Sequence, residues 1–285
     1  MHLRRCGPDF LIVGAQRAGT TWLHHVLGQH PGLWLSPVKE LHYFDKLDTR
    51  RTVLDEEERR RVRLRGLLSF DPWLFRFWFG RRGDIWYASL FQQAQDQGLL
   101  AGEITPAYAT LNEETLRRIQ QINGEIKLVF VMRDPVERAW SAVNKALKKG
   151  LVGGITVETV IARARAPGSA ARSAYADTIR RLESIFRQGQ IHYCFFEDLR
   201  DRPQLLTCAL FSFLGATPVP PAAIKLPKAM NVAAGTKPIP IEFSRELAKD
   251  YLPCVRDLCE RFEGPPQRWR SRYEELLNGG GEWIP

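Results

Sequence analysis

Two short segments hold the residues best placed to do chemistry. The first is GAQRAGTTWL, Gly14 to Leu23, which follows the apolar run DFLIV. Gly14 and Gly19 have the glycine spacing of a phosphate loop, but Thr20 stands where such a loop carries its Lys, and the loop's own cation is Arg17. Backbone N–H groups of a strand–turn–helix loop converge on one anion, and the helix N-terminus adds a partial positive charge. Thr20 and Thr21 fall in the first helical turn, where their hydroxyls can donate to phosphate oxygens. The planar guanidinium of Arg17 can hold two oxygens of a phosphate or sulfate at once. The second segment is KLVFVMRDPVERAWSAV, Lys127 to Val143. Arg133 ends an apolar strand and Ser141 lies two turns along the next helix, so the pair can converge on a second anion. Asp134, between an Arg and a Pro, makes a poor Mg²⁺ ligand. Two anion sites at neighbouring strand ends suit a nucleotide phosphorylated at both its 5′ and 3′ ends. Each feature also has a plainer reading: a strand–helix turn for the glycines, and an ion pair with Asp134 or Glu137 for Arg133.

The elements that must position these residues follow from apolar patterning. DFLIV (Asp9 to Val13), LWL, LLAGE, KLVFVM (Lys127 to Met132) and IHYCFF read as strands. Between them lie helical segments. TTWLHHVLGQH is stopped by Pro31, NEETLRRIQQI is capped by Asn112, and RDPVERAWSAVNKALKKG has Pro135 in its first turn and Gly150 near its end. SAYADTIRRLESIF is amphipathic, QLLTCALFSFLG ends at Gly215, and FSRELAKDYLPCVRDLCERF closes the chain with helices. Residues 47–98 read as a helical insertion rich in Arg and aromatics, with breaks at Asp71-Pro72 and Arg82-Gly83. TPVPPAAIKLPKAMNVAAGTKPIP reads as a Pro-rich surface loop. Alternating strands and helices predict an α/β fold, a three-layer sandwich whose central parallel sheet carries helices on both faces.

Composition narrows the partners. The chain has 285 residues, 44% hydrophobic and 26% charged, with net charge +9. A basic surface favours polyanions, anionic nucleotides or acidic substrates without choosing among them. Much of the excess lies in EEERRRVRLR (Glu56 to Arg65) and FRFWFGRR, and the first reads as a solvated helix with weak ion pairs. Cys6, Cys194, Cys208, Cys254 and Cys259 are scattered and suit neither a metal nor a disulfide framework, so they read as buried thiols. No stretch approaches a membrane span, which sets the expectation of a cytoplasmic protein. No recognised nucleic-acid motif stands in the sequence.

Together the two segments resemble those of the PAPS-dependent sulfotransferases, which move a sulfuryl group from 3′-phosphoadenylyl sulfate (PAPS) and release adenosine 3′,5′-bisphosphate (PAP). KELHYFD, AGEITPAY, IHYCFFEDLRDRPQLL and NVAAGTKP extend the likeness, from about Phe10 to Lys237, toward the heparan-sulfate-type and bacterial branch. The resemblance implies one P-loop-like domain over residues 1–285, with 47–98 shaping the acceptor pocket or a lid. It implies metal-free in-line transfer to a hydroxyl on a small molecule, lipid or saccharide. By the same likeness, Gly14, Gln16, Arg17, Ala18, Gly19, Thr20 and Thr21 hold the 5′-phosphosulfate. Arg133, Ser141 and Lys237 hold the 3′-phosphate, and Trp22 lies against the adenine. Arg17 falls where many members carry a catalytic Lys; an Arg acts there by charge and bidentate contact, since it does not readily release a proton. Glu40 matches a general base, with His42 as the alternative and Lys39 beside it. Glu103 and Tyr108 would face the acceptor. Two other readings compete: a nucleotide kinase or other P-loop NTPase, which needs the missing Lys and an acidic Mg²⁺ ligand, and a non-catalytic polyanion-binding protein.

Overall fold

The computed structural model describes residues 7–46, 71–148, 150, 156–227 and 239–280. Five parallel strands form one sheet: β1 (Phe10–Gly14), β2 (Leu33–Leu35), β3 (Leu100–Ile104), β4 (Lys127–Met132) and β5 (Ile191–Phe195), in the order β2-β3-β1-β4-β5. Leu11 to Val13 of β1 and Leu128 to Met132 of β4 have no exposed surface, so both faces of the central strands are covered, as their unbroken apolar runs require. The strand order turns at β1, where the chain passes from the β3 side to the β4 side. In open parallel sheets that is where a ligand crevice opens, at the C-terminal ends of the strands.

Helices surround this sheet. α1 (Thr20–Leu27) follows the glycine loop. α2 (Pro72–Phe79) and α3 (Asp84–Asp96) come next, and α3 lies against β3. α4 (Glu113–Ile122) is capped as expected, by Asn112 Oδ1 accepting from Thr115 N at 2.9 Å. α5 (Pro135–Lys148) leads to α6 (Val157–Arg165), α7 (Pro167–Ala170) and α8 (Tyr175–Glu183). α9 (Phe196–Asp201), α10 (Pro203–Leu214), α11 (Ile241–Arg261) and α12 (Pro265–Leu277) complete the described helices. Gly215 closes α10 at φ 83°.

Several expectations change. α1 stops at Leu27, before Pro31, because Gly28 takes the cap and the chain turns so that His30 Nε2 reaches Thr217 O at 2.8 Å. α11 continues past Pro253, which lies inside it. Of the thiols, only Cys194 among those described is buried; Cys208 is exposed because it falls on the outer face of α10. The described part of the insertion is packed, with Trp73, Phe77, Trp86, Tyr87 and Phe91 in the core. EEERRRVRLR, Asn231 and Lys237 lie outside the described residues. No described helix is long and apolar enough to cross a membrane.

Candidate active site

The loop from Gly14 to Gly19 lies at the end of β1, and its glycines are sterically required. A β-carbon on Gly14 would meet that of Ala109 at 2.7 Å; one on Gly19, at φ 89°, would meet Leu199 at 2.7 Å. α1 begins with no side-chain cap and no acidic residue in its first turn, which leaves its N-terminal N–H groups and its positive dipole end for an anion. Arg17 takes φ 74°, and its Nε donates to Ser141 Oγ on α5 at 3.0 Å. Burial, then the charges of Arg133 and Arg138, push the Arg17 pKa below its ordinary value.

Arg133, at the end of β4, makes the ion pair of its plainer reading. It pairs with Glu137 at 3.0 Å and lies over the Phe196 ring at 4.3 Å. Its Nη1 also donates to Arg17 O at 3.3 Å. The glycine-loop segment and the Arg133 segment therefore meet. Asp134 serves α5: its Oδ1 accepts from Val136 N at 2.9 Å, Glu137 N at 3.1 Å and Tyr273 Oη at 2.8 Å.

KELHYFD forms the opposite wall. Lys39 Nζ donates to Thr21 Oγ1 at 2.7 Å and stands 3.9 Å from Glu40. His42 lies between two carboxylates, Glu40 at 3.2 Å and Asp45 at 2.7 Å. Burial lowers the His42 pKa, but hydrogen bonds to Asp45 and Glu40 more than reverse this and raise it to about 9. Burial likewise opposes ionisation of Glu40, yet the His42 hydrogen bond and Lys39 bring its pKa below the usual carboxylate value. At neutral pH the pair is carboxylate and imidazolium. A protonated imidazole has no lone pair for a further proton.

A profile of the sulfotransferase family matches residues 8–221. The chain belongs to that family. It is 28% identical over 145 residues to the membrane-associated sulfotransferase kil1 of Dictyostelium discoideum, covering 50% of this chain and 24% of that protein. Against human heparan sulfate glucosamine 3-O-sulfotransferase 6 it is 30% identical over 146 residues, covering 51% and 32%. The matches thus span about a quarter to a third of the length of those relatives. A sulfotransferase from Alicyclobacillus acidocaldarius superposes with TM-score 0.63 at 23% identity, covering 92% of this chain and 98% of that one. The sulfotransferase domain of the curacin biosynthetic pathway superposes with TM-score 0.56 at 16% identity, covering 95% and 98%. At these identities the structural likeness is one of fold.

Three residues of this sulfotransferase-family chain are placed differently from the sequence reading. Glu103 and Tyr108 are fully buried and face no open acceptor site. Glu103 is a post behind it, accepting from Thr105 Oγ1 at 2.6 Å, Tyr87 Oη at 2.5 Å, Tyr108 Oη at 3.0 Å and Leu41 N at 3.2 Å. Burial still outweighs those four bonds and raises its pKa. Trp22, 6% exposed, packs into the core because it faces inward on α1, and so offers little ring to an adenine. Sequence reasoning passed over Asp45, Tyr87 and Phe196. Asp45 was readable as the residue three beyond His42; Tyr87 and Phe196 come from other elements and left no local signal.

Proposed function

We propose that this chain transfers the sulfuryl group of PAPS to a hydroxyl acceptor and releases PAP. The observation that carries this reading is the junction of Arg17, Ser141 and Arg133 at neighbouring strand ends, with Arg17 Nε 3.0 Å from Ser141 Oγ and Arg133 Nη1 3.3 Å from Arg17 O. Phosphosulfate would lie at the glycine loop and the start of α1, and the 3′-phosphate at Arg133 and Ser141. Gly14, Gln16, Ala18, Gly19, Thr20 and Thr21 would form the first cradle.

In-line transfer forms a bond from acceptor oxygen to sulfur and breaks the bond from sulfur to the leaving phosphate oxygen. Negative charge grows on that phosphate, where Arg17 and the α1 N-terminus stabilise it. The acceptor proton goes to Glu40, which is ionised as a base must be. Its basicity is low, so proton transfer comes late, after bonding to sulfur has made the hydroxyl acidic. His42 holds the Glu40 carboxylate and Asp45 holds His42.

Calorimetric titration of PAP in EDTA, beside ATP with Mg²⁺, tests the reading. PAP is expected to bind without metal, and at least roughly tenfold more weakly in Arg133→Ala, as loss of a charge-assisted contact implies. Binding of Mg·ATP with no binding of PAP would make GAQRAGTTWL an altered NTP loop.

A further inference from the structure

The C-terminal helix α12 reaches the strand end that carries Arg133. Trp269 and Tyr273, one turn apart and both fully buried, fix it there. Trp269 Nε1 donates to Glu197 Oε1 on α9 at 2.6 Å, and Tyr273 Oη donates to Asp134 Oδ1 at 2.8 Å. Tyr273 Oη also accepts from Val136 N, at the start of α5, at 3.2 Å. Arg272 stands beside these anchors. Its Nη1 donates to Glu137 Oε1 at 3.1 Å and lies 3.7 Å from Asp134 Oδ2. The family profile ends at residue 221, so no part of α12 falls within the matched residues.

Glu137 is thereby shared by two guanidinium groups. Its Oε2 accepts from Arg133 Nε at 3.2 Å and Nη2 at 3.0 Å, while its Oε1 faces Arg272. Arg133 Nη1 donates elsewhere, to Arg17 O at 3.3 Å. One edge of the Arg133 fork therefore belongs to a carboxylate, and a 3′-phosphate has to share the same guanidinium. Two anions would then meet one cation. The Glu137 side chain is only 11% exposed, so water screens its charge poorly. Left alone it would repel the phosphate. Arg272, on the far oxygen of the same carboxylate, supplies a second cation. Burial, then the Glu137 charge, push the Asp134 pKa up to about 7, and Arg272 opposes them. Asp134, Glu137 and Arg272 thus act on one another as a charge cluster behind Arg133.

We propose that Arg272 is a positioning residue of the donor site: it neutralises Glu137, so that Glu137 can hold the Arg133 fork while Arg133 binds the 3′-phosphate. Arg272 acts through Glu137 and Arg133, not on the nucleotide itself. The inference rests on the sulfotransferase reading above and adds a residue of the C-terminal helix to the selection of a 3′-phosphorylated nucleotide.

The test is calorimetric titration with PAP and with AMP, which keeps the 5′-phosphate and lacks the 3′-phosphate. Wild type is titrated first and should bind PAP the more tightly. Arg272→Gln is expected to weaken PAP roughly tenfold or more, the usual effect of losing a charged contact, and to weaken AMP far less. Arg272→Lys, which keeps the charge, should recover most of that loss. In a Glu137→Gln background the same Arg272→Gln change should weaken PAP far less, because the carboxylate that Arg272 neutralises is gone. Where Arg272→Gln does not fold, Arg272→Met serves as the neutral variant, with the same expectations. Equal losses for PAP and AMP would make Arg272 a structural residue of α12 and overturn the proposal, and so would an undiminished PAP affinity. A full loss in the Glu137→Gln background would place Arg272 on the phosphate directly, which also overturns it. Failure of wild type to bind PAP, or binding no tighter than that of AMP, is recorded before any variant and would remove the donor reading on which the inference rests.

Discussion

Among the described residues, the non-glycine positions with positive φ are Arg17 at 74°, Glu40 at 60° and His42 at 51°. These are the three that the sequence marks as catalytic. Left-handed backbone costs such residues on the order of 1 kcal/mol each, and it persists where surrounding contacts hold it. Here the contacts are Ser141 for Arg17 and the Glu40–His42–Asp45 chain for the other two. Arg17→Ala is expected to lower kcat by two orders of magnitude or more, with a smaller loss of PAP affinity, because the charge Arg17 meets is largest in the transition state. Steady-state kinetics beside calorimetry separate the two effects. Glu40→Gln should leave PAP binding intact and reduce turnover by roughly 10²–10⁴-fold, the usual contribution of a general base. His42 adds a pH signature. Folding raises its pKa from 6.5 to about 9, so its ion pairs stabilise fully below about pH 6.5 and the contribution is gone once pH has risen through 9. The shift is worth roughly 3 kcal/mol at most. Denaturant melts should therefore show wild type well above His42→Gln at pH 6 and the gap closing by pH 10.

Pairs of elements hold these strained residues in register. Glu103 on β3 takes the N–H of Leu41, the residue between Glu40 and His42, while Tyr87 from α3 and Tyr108 from the turn after β3 hold the same carboxylate. Glu103→Gln places an amide N–H₂ among donors and should destabilise the fold by about 1–3 kcal/mol. Turnover should fall further than PAP affinity, because the Glu40 turn loses its tether while the glycine loop keeps its own. Gly19→Ala acts on the other wall. Its β-carbon would lie 2.7 Å from Leu199 at φ 89°, so α9 and the loop must part. A loss of PAP affinity of tenfold or more is expected, measured by calorimetry on folded protein. Elements with a strong local pattern were legible in sequence: β4 by its apolar run, α4 by the Asn112 cap and α5 by Pro135. The end of α1 was not, because it depends on the contact between His30 and Thr217, far along the chain.

Across the whole molecule, helices from the insertion, the middle and the C-terminal segment contribute to one hydrophobic cluster: Trp73 and Phe91, Val136 and Trp140, Leu247 and Trp269. We propose that the chain unfolds as one domain. Scanning calorimetry should then give a single transition with equal calorimetric and van't Hoff enthalpies, and two transitions would divide it. PAP at a hundredfold excess over its Kd should stabilise that transition by about 2.7 kcal/mol, since a ligand of the native state alone shifts stability by mass action.

Local chemistry and periodicity are written along the chain, and they were enough for the α/β class, the parallel sheet, the glycine loop with its displaced cation, and the Arg133–Ser141 segment. Family membership followed from the same motifs. Charge states and facing directions were not readable, because they depend on residues distant in sequence. Glu103 and Tyr108 have the types of acceptor ligands, yet burial makes them internal supports. His42 has the ordinary titration of a base until Glu40 and Asp45 close around it. Arg138 carried no signal in the sequence, and its burial against Ser169 and Ser173 comes from packing between elements. Burial and cross-element hydrogen bonds set these properties, and both exist only once the chain has folded.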